Sequence, residues 1–243
     1  MMRIKSEHIS KSSKPGQFVN IRCCEGNELL LRRPISICGT DIQKGTFDIT
    51  FMVKGKGTQY LSQRKPGETL DIIGPCGNAF ELSENYKNVL VAGGGIGIFP
   101  LLYLADMIRH SNKCSLIGFK SSSEIVMLDR FKTCSNKVGV CTDDGSAGEK
   151  AFVTELLEKE LNGKIKWDII YACGPYEMMK KVHMLSAEHG IKCQVSLEQR
   201  MGCGIGACLA CACKIKCRGS KGWTYKHVCK DGPVFYSSEV IWE

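Results

Sequence analysis

The opening residues, MMRIKSEHISKSSKPG, hold no apolar run of secretion-signal type, so export is not expected and a cytoplasmic location is. The longest charge-free stretch, Val89 to Ala105 (VLVAGGGIGIFPLLYLA), is broken by four glycines and a proline, which argues against a bilayer-spanning helix. It reads instead as strand, glycine turn and helix, the opening of a nucleotide-binding domain. No internal repeat and no low-complexity linker appears. The net charge of +8 is moderate, with a local excess at Lys214, Lys216, Arg218, Lys221, Lys226 and Lys230. That stretch is read as lacking an interleaved aromatic platform, so nucleic acid is not an expected partner; a solvated loop and a surface docking an acidic protein remain the alternatives.

What the chain has in quantity is cysteine. Six of the fifteen lie between Cys203 and Cys229, while the other nine are scattered through apolar or strand-like runs. That distribution suits a reducing compartment better than a disulfide scaffold. Cys203, Cys208, Cys211 and Cys229 fall in MGCGIGACLACAC and VCKDGPVF, giving C-x4-C-x2-C and a distant fourth cysteine. This is the ligand spacing of a plant-type 2Fe-2S cluster, and the small residues around it suit a loop that wraps a cluster closely. A zinc site is the competing reading, because Cys208-x2-Cys211 is also a zinc knuckle and Cys213 with Cys217 offers a second pair.

Up to about residue 87 the chain is strand-rich: QFVNIRCC, NELLLRRPISIC, GTFDITFMVK and ETLDIIGP are β-branched or alternating runs between glycine-containing turns. A small antiparallel β-barrel is expected. Strand candidates NVLVA, CSLIGF, KVGVC, WDIIYAC and IKCQVSL then alternate with helix-length segments, which implies a five-stranded parallel, doubly wound α/β domain. Its last helix is punctuated by Pro175 at the start and Gly190 at the end, with Met178, Met179, Val182 and Leu185 recurring at helical spacing as core. The expected division is therefore 1–87, 88–197 and a small cysteine segment, 198–243.

Several loops could carry chemistry, and each also has a plain structural reading. Gly93, Gly94, Gly95 and Gly97 lie between strand and helix, where backbone N–H groups meet a pyrophosphate; they lack the strict G-x-G-x-x-G spacing and also suit tight packing. Cys173, Gly174 and Pro175 close another parallel strand on the same sheet edge, so the two loops could share one dinucleotide, with Cys173 beside a nicotinamide or simply filling a crowded turn. Asp143 to Ser146 follow a third strand as ribose contacts or as an ordinary turn. Arg33, Pro34, Ile35 and Ser36 pair a guanidinium and a hydroxyl on a strand end, suited to a phosphate and a flavin edge or to an edge strand. Lys54, Gly57 and Thr58 sit before QYLSQ, a short helix whose start also suits a pyrophosphate.

In order, RRPIS, GKGT, GPCGNAF, GGGIGIFPL, ACGP and CGIGACLACAC with VCKDGPVF resemble the electron transfer subunits of dihydroorotate dehydrogenase B, within the ferredoxin-NADP reductase superfamily. The resemblance runs from about Pro15 to Phe235. It implies FAD contacts from Arg33, Pro34, Ile35 and Ser36, from Met52, Val53 and Lys54, and from Gly57 and Thr58. It also implies a 2Fe-2S cluster on Cys203, Cys208, Cys211 and Cys229, and NAD(H) across the glycine loop and Cys173 to Pro175. Cys213 and Cys217 match no ligand position.

NADH delivers two electrons as hydride, a cluster accepts one at a time, and a flavin does both, so FAD is the expected converter. The implied partner is an FMN-containing dihydroorotate dehydrogenase catalytic subunit of pyrimidine synthesis, in a heterotetramer of two of each. The rival enzyme reading is the subunit of a sulfide dehydrogenase or NADH-dependent ferredoxin:NADP oxidoreductase, relatives that tend to carry aspartate where this chain has Cys203. A zinc-stabilised binding module is the alternative of another class. Lys120 with Ser121 to Ser123 leaves NADPH open against NADH. Two departures stand out: the first barrel strand has only RIKSEHIS to draw on, and the stretch between Cys211 and Cys229 is expected to form a lengthened hairpin.

Overall fold

The computed structural model describes residues 1–243 apart from 27, 110 and 218–221. Its N-terminal part comprises β1 (Met2–Lys5), α1 (Glu7–Ser12), β2 (Phe18–Ile21), β3 (Arg33–Asp41), β4 (Thr46–Ile49), α2 (Lys56–Ser62) and β5 (Ile72–Cys76). The strands form an antiparallel sheet in the order β1-β4-β3-β2-β5. The first strand is therefore present, using Met2–Lys5 of the short leading segment and pairing with β4. The rest of that segment turns helical because the Ser6 hydroxyl accepts the Ile9 N–H at 3.3 Å and Glu7 opens the first turn. Helix α1 packs against β3, β4 and β5.

The strands are shorter than their apolar runs. In NELLLRRPISIC the ladder begins only at Arg33, and Leu30 and Leu31 are exposed. In GTFDITFMVK it ends at Ile49, leaving Met52 and Val53 exposed. Alternation along β2 sorts its side chains between two cores. Val19 and Ile21 join Ile37, Phe47 and Ile49 inside the barrel, whereas Phe18 packs with Cys211, Cys229 and Phe235.

The second unit runs β6 (Asn88–Gly94), a 3-10 turn at Gly95–Gly97, α3 (Ile98–Met107), β7 (Asn112–Phe119), α4 (Leu128–Cys134), β8 (Lys137–Thr142), β9 (Glu149–Lys150), α5 (Val153–Leu161), β10 (Ile169–Cys173), α6 (Tyr176–Glu188) and β11 (Lys192–Ser196). The five expected strands are all parallel neighbours, in the order β11-β10-β6-β7-β8. Two strands extend that sheet. The two-residue β9 pairs with β8, and β14 (Val234–Tyr236), from beyond the last cysteine, pairs antiparallel with β11. Pro175 stands just before α6 in extended backbone, and Gly190, at φ +65°, follows its end.

Helix α3 is buried from Ile98 to Ala105 because it is wedged between β3 of the barrel and β6 and β10 of the sheet. The Tyr103 hydroxyl ties it to the barrel, accepting from Thr40 at 3.2 Å and donating to the Ser13 carbonyl at 3.0 Å. At its other end the buried Lys113 ammonium donates to the carbonyls of Ala105 and Ile108, satisfying orphan acceptors of the last turn. Burial lowers the pKa of this lysine. In the barrel, Leu61 is fully buried and anchors α2, whose first turn holds Gly57 and Thr58. Leu61→Ala should destabilise the barrel by about 2–5 kcal/mol and loosen that turn, seen as a lower unfolding midpoint and faster amide hydrogen exchange in α2.

Candidate functional site

Loop 201–211 is organised around sulfur. The Cys203 thiol accepts N–H groups of Ile205 at 3.4 Å, Ala207 at 3.3 Å and Cys208 at 3.3 Å, and the Cys208 sulfur accepts the Cys203 N–H at 3.3 Å. The Cys229 sulfur accepts the Gly206 N–H at 3.1 Å and lies 3.2 Å from the Cys211 sulfur, which in turn accepts the Cys229 N–H at 3.4 Å. Such a loop needs left-handed backbone, which Gly204 (φ +73°) and Gly206 (φ +84°) adopt readily and Leu209 (φ +61°) adopts under strain.

The four sulfurs thus fall into two pairs, Cys203 with Cys208 and Cys211 with Cys229. That is the arrangement two irons require, and the amide-lined pocket suits thiolate ligands. Among the described residues no three His, Cys, Asp or Glu side chains are gathered for a single metal ion. Cys213 instead donates to the Lys226 carbonyl at 3.5 Å, and Cys217 is exposed near the hairpin tip.

Backbone N–H groups, led by those of Ile205 and Cys208, lower the Cys203 pKa to about 6. Burial, then the neighbouring Cys211, pushes Cys229 up to about 12. Metal binding would therefore expel a proton from Cys229.

The hairpin expected between Cys211 and Cys229 is formed by β12 (Ala212–Lys216) and β13 (Trp223–His227). Trp223 and Tyr225 do interleave its lysines, contrary to the sequence expectation. They pack edge to face at 5.1 Å, with the Lys214 ammonium over the Trp223 ring, so both aromatics are engaged within the hairpin. Lys214 also pairs with Glu243 and Lys226 lies 3.8 Å from Asp231. Arg218 and Lys221 lie outside the described residues.

At the barrel, Arg33 and Gly57 come together: a Cβ at Gly57 would lie 2.7 Å from Arg33 Nε. The Thr58 hydroxyl accepts the N–H groups of Lys54 at 2.9 Å and Gly55 at 3.2 Å, fixing the turn that opens α2. Pro34 and Ser36 lie opposite Asn20 and Phe18 on β2, sharing one face of the sheet, while Ile35 packs towards the barrel core. Exposed Met52 and Val53 lead into the Lys54 turn. A guanidinium, a backbone turn and an apolar strand end fit the pyrophosphate and ring of a flavin dinucleotide.

The two loops of the parallel sheet are in contact. Cys173 pairs in register with Gly93, and a Cβ at Gly97 would lie 2.5 Å from the Cys173 carbonyl. Gly94 has equally little room, 2.7 Å from the Met178 sulfur and 3.0 Å from Pro175. The result is a smooth backbone cradle at the carboxyl ends of β6 and β10, the place where open α/β sheets bind dinucleotides. Cys173 is buried there, and desolvation raises its thiol pKa strongly. The Asp143–Ser146 segment is a turn in which the Asp144 carboxylate accepts the N–H and hydroxyl of Ser146 at 2.9 and 2.6 Å. The Ser146 hydroxyl in turn accepts the Ser122 N–H at 2.7 Å, joining the loops after β7 and β8.

Two residues of the site escaped the sequence reading. Asn20 is buried on β2 and donates to the Cys203 carbonyl at 2.9 Å. Glu198, just beyond β11, lines a cavity of about 600 Å³ with Gly174, Pro175, Lys214 and Tyr225. Although exposed at the cavity mouth, its carboxyl is crowded by protein and its pKa is raised by desolvation, with Lys54 pulling the other way. Neither residue belongs to a motif, so only the contacts find them.

Comparison with known proteins agrees with this geometry. The family description "iron-sulfur cluster binding domain of dihydroorotate dehydrogenase B" matches residues 198–241, and "oxidoreductase FAD-binding domain" matches residues 2–80. The dihydroorotate dehydrogenase B (NAD(+)) electron transfer subunit of Caldanaerobacter subterraneus subsp. tengcongensis is 44% identical over 231 residues, covering 95% of this chain and 88% of that protein. The chain belongs to this family of electron transfer subunits. Its counterpart in Desulforamulus reducens is 42% identical over 245 residues, 100% of this chain and 92% of the other. Among solved structures, an NADH-dependent reduced ferredoxin-NADP oxidoreductase superposes with a TM-score of 0.85 at 38% identity, covering 99% of this chain and 84% of that one.

In cluster-free protein the thiolate gradient should be directly visible. Iodoacetamide should alkylate Cys203 ahead of Cys229 and Cys213, with a rate that rises as pH increases through about 6. Peptide mass mapping at a series of pH values would measure it.

Proposed function

We propose that this chain relays electrons between NAD(H), FAD and a 2Fe-2S cluster, and onward to or from the FMN of a dihydroorotate dehydrogenase catalytic subunit in pyrimidine synthesis. The observation that carries the reading is the two-pair sulfur loop, seated against the outer face of β2 beside the Arg33–Ser36 strand. In this reading the functional division is 1–87 for FAD, 88–197 for NAD(H) and 198–243 for the cluster, in a cytoplasmic heterotetramer of two of each subunit. No helix among the described residues is long and apolar enough to cross a membrane.

When bound, FAD supplies the exchange between a two-electron hydride and the single electrons that a cluster carries. The chain's residues do the positioning. Arg33 and the first turn of α2 neutralise a pyrophosphate, while Pro34, Ile35, Ser36 and the Met52, Val53, Lys54 strand end flank the ring. Gly93, Gly94, Gly95 and Gly97 with Cys173, Gly174 and Pro175 let the second dinucleotide approach backbone closely. Cys203, Cys208, Cys211 and Cys229 would hold the irons, and the N–H groups that donate to their sulfurs would stabilise thiolate charge there. The cavities flanking α2, of about 600 and 440 Å³ and bordered by Tyr60, have room for the far end of an extended dinucleotide.

Purified chain should show flavin and iron-sulfur absorption, bleach with NADH, and leave dihydroorotate untouched until the FMN subunit is added. Dihydroorotate oxidation by the chain alone would sink this division of labour. The 38% identity to the reduced ferredoxin-NADP oxidoreductase favours a second reading, in which the electrons serve ferredoxin and NADPH instead. Identification of the co-purifying partner and its flavin decides between them. Gly97→Ala, whose methyl would press on the Cys173 carbonyl at 2.5 Å, should weaken NADH binding by roughly tenfold or more while FAD and iron content stay unchanged. Flavin bleaching against NADH concentration, with metal analysis, tests this.

A further inference from the structure

Asn20 is 1% exposed, a carboxamide on a strand whose other three residues, Phe18, Val19 and Ile21, are buried hydrophobics. Its Nδ2 donates to the backbone carbonyl of Cys203 at 2.9 Å, a contact that spans 183 positions of sequence. A carbonyl only accepts, so the orientation of the amide is settled by its partner. The other end of the group, Oδ1, is buried and has no hydrogen-bond partner among the described residues. Buried acceptors are rarely left unpaired in a rigid interior, because desolvating them costs as much as losing a hydrogen bond.

The cluster loop is shaped to this side chain. A Cβ at Gly204 would lie 2.3 Å from Asn20 Nδ2, so the loop closes over the amide at a residue that has no side chain. Among the described residues this is the only hydrogen bond from the barrel to loop 201–211. Sheet register gives the contact its second significance. Asn20 stands opposite Pro34 on β3 and Ile73 on β5, and Phe18 stands opposite Ser36, so the amide shares a face with two residues of the flavin motif. One short side chain therefore touches the loop of the first sulfur from within the row that faces the proposed flavin motif.

We propose that Asn20 is a positioning residue that holds the Cys203 side of the cluster at a fixed separation from the flavin face, with Oδ1 available to a donor in the gap between them. This rests on the relay reading above. A hydrogen bond from a rigid strand immobilises the peptide that carries the ligand, and a second donor on Oδ1 would lock the amide from both ends.

The test uses the full chain with both cofactors. Asn20→Leu removes the donor and Asn20→Asp replaces it with an acceptor of the same shape. Both variants should retain FAD and be bleached by NADH at the parent rate. The electron paramagnetic resonance g-values of their reduced cluster should shift, and single-turnover transfer from flavin to cluster should slow by roughly three- to tenfold, the factor that the net worth of one hydrogen bond converts to. Should the barrel fail to tolerate either change, Gly204→Ala displaces the amide from the loop side and reads the same contact. Parent-like g-values and transfer rates in the variants would overturn the proposal while leaving the relay intact. So would joint loss of FAD and cluster in all three, which would make Asn20 a folding residue. A parent protein whose cluster NADH does not reduce would overturn the relay reading itself.

Discussion

The architecture depends on how the short segment after the last cysteine is clamped. Val234–Tyr236 pairs with β11, so it belongs to the nucleotide sheet. Asn78, just beyond the barrel, donates through Nδ2 to the carbonyls of Asp231 at 2.8 Å and Val234 at 3.1 Å, and its Oδ1 accepts the Val234 N–H at 3.0 Å. The Leu197 N–H closes the circle on the Pro233 carbonyl at 2.8 Å. There is no slack here: a Cβ at Gly77 would lie 2.6 Å from Pro233, and one at Gly16 would lie 2.8 Å from Val234. One segment thus fixes barrel, sheet and cysteine loop against each other.

Electron relay between separate cofactors demands short, constant separations, and a set of units joined only by linkers would not supply them. Here the units share cores rather than surfaces. Phe18 of the barrel packs in the same cluster of buried side chains as Cys211, Cys229 and Phe235, and α3 is buried between barrel and sheet along most of its length. Thiolate is favoured at Cys203 by backbone N–H groups, whereas burial drives the sulfurs of Cys173 and Cys193 to the neutral thiol.

The parallel sheet was legible because its central strands β6, β7 and β10 are buried on both faces and so appear as short continuous apolar runs between turns. The barrel strands were legible in number but not in length: Leu30, Leu31, Met52 and Val53 extend the runs into segments that have no ladder partner. The α1 turn was missed because a single serine cap outweighs the alternation of RIKSEHIS, and β9 because two charged residues make no pattern. Strand β14 follows a proline in a segment read only for its cysteine.

The cysteine spacing, the order of glycine loops and the RPIS and GKGT runs are local patterns, and local patterns sufficed to name the fold, the cofactors and the candidate ligands, since each reflects chemistry performed within a few residues. Tertiary structure alone paired Cys203 with Cys208 and Cys211 with Cys229, pressed Gly97 onto the Cys173 carbonyl, and set Asn20 under Cys203 from the opposite end of the chain. These are contacts between residues far apart in sequence or matters of backbone direction. Spacing carries no information about either, because they arise only when separate cores close on one another.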